Sequence, residues 1–128
     1  MKGGNTMNDE LRRQHMEQIT EPVAVRCYER LCEACASRAE GMSDQDQMLV
    51  ADIATMEQMK QQLFADIRTR GVVEDWHNGR QRMKRENKSI ATARMLMEQQ
   101  RKHLSELRLT PNSRKAAPVP VSDEFDEF

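Results

Sequence analysis

Between Arg80 and Lys115 the chain carries eleven basic side chains and three acids, a net of +8 inside a protein of formal charge −1. The cations are Arg80, Arg82, Lys84, Arg85, Lys88, Arg94, Arg101, Lys102, Arg108, Arg114 and Lys115, against Glu86, Glu98 and Glu106. Residues 1–79 hold nine basic and fourteen acidic side chains, and the last thirteen residues hold four acids and no base. Cations gathered this closely repel one another. The chemistry they offer in return is the gripping of a polyanion on one surface, with other contacts left to the rest of the chain. The plain alternative is a solvated helix face.

Catalytic chemistry has little to stand on. There is no P-loop glycine pattern, nucleophile elbow or paired-His metal motif. His15, His77 and His103 fall on three different elements. Cys32 and Cys35 form a C-x-x-C with Cys27 and His15 upstream, a pattern that raises zinc. No second ligand pair follows, however, and the three Cys lie within a helical pattern, so they read as small buried hydrophobes. An odd count of three implies no disulfide framework. The expectation is a non-enzyme without metal or cofactor. Asp75-Trp76-His77 is the most site-like cluster. Trp76 either stacks on a base or plugs its segment onto the helices, and the packing role is favoured.

The elements that must position these residues are mainly helical. Asn8 caps a first helix with Asp9 and Glu10 in its first turn, and Leu11, His15 or Met16, and Ile19 form its apolar stripe. Glu21-Pro22 breaks the chain. A second helix runs from Pro22 to Glu40 with Ala24, Cys27, Tyr28, Leu31, Cys35 and Ala39 at helical spacing, and Gly41 stops it. Ser43 to Asp46 resembles a capping box with a shorter acid. A third helix follows from Asp44 to Arg70, striped by Leu49, Ile53, Met56, Leu63 and Ile67, and ends at Gly71. The two long helices are expected to pack as an antiparallel hairpin.

Val72 to Asn87 reads as a small basic β-hairpin or loop turning at Asn78-Gly79. An extended strand puts Arg80, Arg82 and Lys84 on one face and Gln81, Met83 and Arg85 on the other. Asn87 or Ser89 then caps a last long helix, about Lys88 to Arg108. Its seam is Ile90, Ala93, Met97, Gln100, Leu104 and Leu107. Thr110-Pro111 caps a final short turn through Arg114.

The 128 residues are 38% hydrophobic and 4% aromatic, with ten Met. That is a lean core for one domain, and self-association would complete it. No apolar run suits a membrane span or a signal peptide, so neither is expected. Residues 1–8 and 116–128 are read as disordered around a helical domain of residues 9–115. In the acidic end, Asp123, Glu124, Phe125, Asp126, Glu127 and Phe128, the two Phe look like anchors for a partner groove.

The arrangement over Val25 to Arg114 resembles the small terminase subunits of tailed double-stranded DNA phages. A helical hairpin ends in Arg70-Gly-Val-Val73, a short hairpin follows, and a last helix closes on Leu107-Arg-Leu-Thr-Pro-Asn-Ser-Arg114. The sequence departs from that pattern at Arg108, where Gly is expected, and at Lys88, where Pro is common. The resemblance implies a non-enzymatic, ring-forming homo-oligomer in the host cytoplasm. It would bind viral double-stranded DNA and present it to the large terminase subunit, which carries the ATPase and nuclease. In that setting Arg80, Arg82, Lys84, Arg85 and Lys88 would contact phosphates, and Arg94 and Arg101 would extend the track. Gln81 and Asn87 are the candidates for reading bases. The competing function is a helical oligomeric adaptor that binds a protein partner and has no nucleic-acid role.

Overall fold

Four of the five described helices begin where a side chain takes an N–H group that a helix start leaves unpaired, and the other begins on a proline. The computed structural model describes residues 7–114. In chain order its elements are α1 (Asp9–His15), α2 (Pro22–Ala36), α3 (Asp44–Arg70), β1 (Val73–Asn78), β2 (Gln81–Glu86), α4 (Lys88–Glu106) and α5 (Pro111–Arg114). The segment 116–128, with the expected partner-binding residues Asp123 to Phe128, lies outside the described residues, as do the first six residues.

The Asn8 side chain accepts from the Leu11 N–H at 3.0 Å. Pro22 opens α2. Ser43 Oγ accepts from the Asp46 N–H at 3.1 Å, and the Asp46 carboxylate takes the Ser43 N–H at 3.0 Å, completing the capping box.

Helix α3 has 27 residues, about 40 Å of rod, and both α2 and α4 lie along it. Both run against its direction. Gln58 Oε1 takes the Thr20 and Glu21 N–H groups at 2.9 Å each, just ahead of α2. Arg38, just past the end of α2, meets Asp46 at the start of α3 at 2.6 Å. For α4, Ser89 Oγ donates to Asp66 at 2.6 Å, and Gln100 Nε2 donates to the Ile53 carbonyl at 3.0 Å.

The core gathers around the first half of α3. Ile19, Tyr28, Cys32, Cys35, Met42, Val50, Ile53 and Leu107 are its largest members. Towards the second half, Met56, Leu63 and Ile67 are half-buried and Met59 is exposed. Cys32 and Cys35 pack as small apolar groups, and burial pushes the Cys32 thiol up to about 12. One polar cluster sits inside. The Tyr28 hydroxyl accepts from Gln47 Nε2 at 2.8 Å and lies 2.7 Å from His15 Nδ1, while Gln47 also bonds the Asn8 N–H and carbonyl. Every buried polar side-chain atom among the described residues has a partner, so the cluster carries no desolvation cost of an orphaned group.

Helix α2 stops at Ala36, short of the expected Glu40. Ser37 Oγ bonds back to the Glu33 carbonyl at 2.9 Å. The half-buried Arg38 then donates to the carbonyls of Cys35, Gly41 and Leu107 at 3.1, 2.8 and 2.8 Å. One guanidinium thus ties together the end of α2, the start of α3 and the end of α4.

Helix α4 likewise ends at Glu106 rather than Arg108. The Leu109 N–H reaches the Leu104 carbonyl and the Arg108 N–H the Ser105 carbonyl, both at 2.9 Å, with Arg108 at φ 59°. This is a Schellman closure, with Leu104 and Leu109 both packed on the core. Thr110 and Ser113 then exchange backbone and side-chain hydrogen bonds at 3.0 and 3.1 Å, with Pro111 first in α5. The Leu-Thr-Pro-Asn-Ser sequence is therefore a stop followed by a restart. Arg108 occupies a left-handed position that glycine adopts without strain. Arg108→Gly is expected to raise stability by about 1 kcal/mol and Tm by about 3 °C, measured by thermal denaturation.

The buried stripe of α4 also differs from the expected seam. Leu96 is buried at 8% exposure, whereas Met97 is exposed at 43%. Ala93, Leu96, Gln100 and Leu107 face α3 because α4 packs on one helix at the 3.6-residue period, and not in a heptad seam.

Candidate nucleic-acid interface

Strands β1 and β2 form a two-stranded antiparallel ribbon. Its register pairs Glu74 with Arg85, Asp75 with Lys84, Trp76 with Met83, His77 with Arg82 and Asn78 with Gln81. The loop is therefore Gly79-Arg80, one residue later than the expected Asn-Gly turn. Gly79 has φ 63°, the positive angle that a type II′ turn needs at its first central position. The ribbon packs chiefly on itself and makes few contacts with the helices.

Polar bonds hold its base. Asn87 is fully buried, and its Oδ1 accepts from Ser89 N–H at 2.9 Å and from Arg70 at 3.0 Å, while its amide donates to the Gly71 carbonyl at 3.0 Å. Asp66 takes Arg70 at 2.7 Å and Ser89 at 2.6 Å. Hydrogen bonds from Arg70 and Ser89 hold the Asp66 carboxyl far below the usual carboxylate range. Glu74, nearly buried, bridges Arg70 and Arg85, the latter at 3.0 Å. Arg85 lies 5.2 Å over the Trp76 ring, a cation–π contact.

The expected cations divide among the turn, the two faces of the ribbon and α4. Arg80 stands at the turn, not on the strand face expected for it. Arg82 and Lys84 do share a face, and Lys84 pairs with Asp75 at 3.1 Å between two exposed side chains. Arg85 points to the opposite face and is committed to Glu74 and Trp76. On α4, Lys88 is the first residue. Arg94 and Arg101 are exposed and seven residues apart, so they lie about 20° apart on one side; Arg101 pairs with Glu98. Among the described residues, Arg80, Arg82, Lys88 and Arg94 have no carboxylate partner. Of the two candidate base readers, Gln81 is exposed near the turn, whereas Asn87 is the buried α4 cap and has no free edge to offer.

The sequence model of the phage terminase small subunit matches residues 24–124. The chain belongs to the phage terminase small-subunit family. No curated protein and no solved structure matches it. The matched span takes in α2 from Ala24 onward, α3 to α5 and the whole basic ribbon, so membership in this family of phage DNA-packaging components covers the candidate interface itself. Among the described residues no helix is long and apolar enough to cross a membrane.

The roles of three residues escaped the sequence reading. Arg38 gave no signal beyond a lone Arg at a helix end. Asp66 and Arg70 are spaced i, i+4 on α3, a legible pair, but their bonds to Asn87, Ser89 and Glu74 depend on where the chain returns.

Proposed function

We propose that this protein is a ring-forming, non-catalytic DNA-binding subunit that grips viral duplex DNA and presents it to the large terminase subunit in the host cytoplasm. The observation that carries the reading is the exposure of Arg80, Arg82, Lys88 and Arg94, unpaired among the described residues, within the family-matched span. Lys88 is the sharpest case. A cation at the first position of a helix opposes the macrodipole and costs roughly 0.3–1 kcal/mol, so its place is not owed to helix stability.

Lys84 and Arg101 join the DNA contact set because their ion pairs are solvent-exposed. Such pairs hold by less than about 1 kcal/mol, and a phosphate can displace the carboxylate. Arg85 serves the ribbon's base instead. The half-covered Leu63, Phe64 and Ile67 and the exposed Met59, Met95 and Met97 supply apolar surface for neighbouring copies. Copies around an axis multiply each weak phosphate contact through effective concentration. Asp123 to Phe128 form the acidic, Phe-bearing end that we assign to the large subunit.

The test is titration of a labelled duplex with the full chain at rising salt. A large oligomer whose affinity drops roughly a thousand-fold or more between about 50 and 200 mM salt supports the reading. Ending the chain at Val121 is expected to spare DNA binding and to weaken capture of the large subunit in a pull-down. A monomer or dimer indifferent to DNA would support the adaptor role, which the intramolecular pairing of Lys84, Arg85 and Arg101 otherwise favours.

A further inference from the structure

We propose that the outward face of the β1–β2 ribbon reads base edges in the DNA major groove, with Arg82 as its guanine contact. The inference rests on the reading that the chain binds duplex DNA, and it assigns part of that binding to sequence recognition.

The two faces of the ribbon differ in kind. One carries Glu74, Trp76 and Arg85, half-covered, beside the exposed Met83; Arg85 bonds Glu74 across the strands, and Glu74 bonds Arg70 at the end of α3. The other carries Asp75, His77, Arg82 and Lys84, all exposed, in cross-strand pairs Asp75–Lys84 and His77–Arg82, with the exposed Val73–Glu86 pair at its base. A face built only to grip phosphates has no use for a carboxylate, because Asp75 repels the backbone. Base edges in the major groove alternate donors and acceptors, and there a carboxylate accepts from the cytosine amino group while an arginine donates twice to guanine. The mixed set on this face matches that alternation. Arg82 sits in the pair of this face nearest the turn, with no carboxylate partner among the described residues, so its fork is available where the ribbon would enter the groove first.

The dimensions agree. Two strands about 4.8 Å apart fit a groove about 12 Å wide. Six residues per strand give about 20 Å of ribbon, enough to lie along several base steps. The ribbon is also held in advance. Its tip closes in two residues, and its base is fixed by Asp66, Arg70, Glu74 and Asn87. Little ordering entropy remains to be lost on entering the groove.

The test is selection from a random duplex library with the full-length chain, repeated with Arg82→Lys and with Arg30→Lys, the latter at an exposed arginine of α2 outside the proposed contact set. Arg82→Lys keeps the charge and removes the two-pronged donor geometry, and its exposed site tolerates the change. The expected result is a guanine-containing motif enriched by the unaltered protein, with that guanine lost in Arg82→Lys. Affinity for the enriched duplex should fall about tenfold or more, whereas affinity for unrelated duplex and its salt dependence stay within about twofold. Arg30→Lys should enrich the same motif as the unaltered protein. The proposal is overturned if Arg82→Lys enriches the unaltered motif, or if the unaltered protein binds duplex and enriches nothing. Absence of binding to any duplex would instead remove the underlying DNA-binding assignment.

Discussion

Replacing Arg80, Arg82 and Lys84 together with Glu is expected to lower affinity for duplex DNA roughly 100-fold or more at low salt. Each subunit loses three cations at the ribbon tip and gains three anions there, so attraction becomes repulsion at the point of closest approach. Stability should change little. All three side chains are exposed, and the one ion pair lost, Lys84 with Asp75, joins two side chains that are 75% and 70% exposed, a geometry worth less than about 1 kcal/mol. Fluorescence anisotropy with a labelled duplex reads the affinity, and far-UV circular dichroism checks the fold. Unchanged affinity in a folded triple variant would take the ribbon out of the DNA contact and leave the adaptor role standing.

The second large effect is on stability. Leu107 is fully buried, and its backbone carbonyl accepts from Arg38 at 2.8 Å. It anchors the far end of α4 on the core formed by α2 and the first half of α3. Leu107→Ala should cost about 3 kcal/mol, because the removed methyl groups leave a cavity between three helix ends that Arg38 holds in place. Urea denaturation measures it. A loss below about 1 kcal/mol would mean that the end of α4 does not dock as described. Paired with Arg108→Gly, one position further on and opposite in sign, the two variants separate the packing role of the Leu-Arg-Leu-Thr-Pro segment from its backbone role.

The helix starts were legible because capping is local chemistry. Asn8, Ser43 with Asp46, Asn87, and Thr110 with Pro111 each act within three residues of themselves. The ribbon was legible for the same reason, since alternation and a glycine turn span only a few residues. Helix ends were read less well. Ala36 and Glu106 end their helices beside Arg38, which reaches across the fold to the Leu107 carbonyl, and a left-handed Arg108, a strained angle that glycine would normally signal. The α4 seam slipped by one residue at Leu96 because a 3.5-residue and a 3.6-residue period differ little over so short a helix.

The interface divides along the same line. Sequence by itself determined that cations cluster in the last third, that Arg82 and Lys84 share a strand face, and that the family is that of phage small terminases. Only the tertiary structure decided which cations are available. Lys84, Arg85 and Arg101 each met a carboxylate, whereas Arg80, Arg82, Lys88 and Arg94 met none among the described residues. It also turned Asn87 from a candidate reader into a buried brace beside Asp66, 21 residues away. The physical reason is range. Caps, turns and alternation are settled by neighbours along the chain, but the partner of a charged side chain is settled by whatever the fold brings within a few ångströms of it.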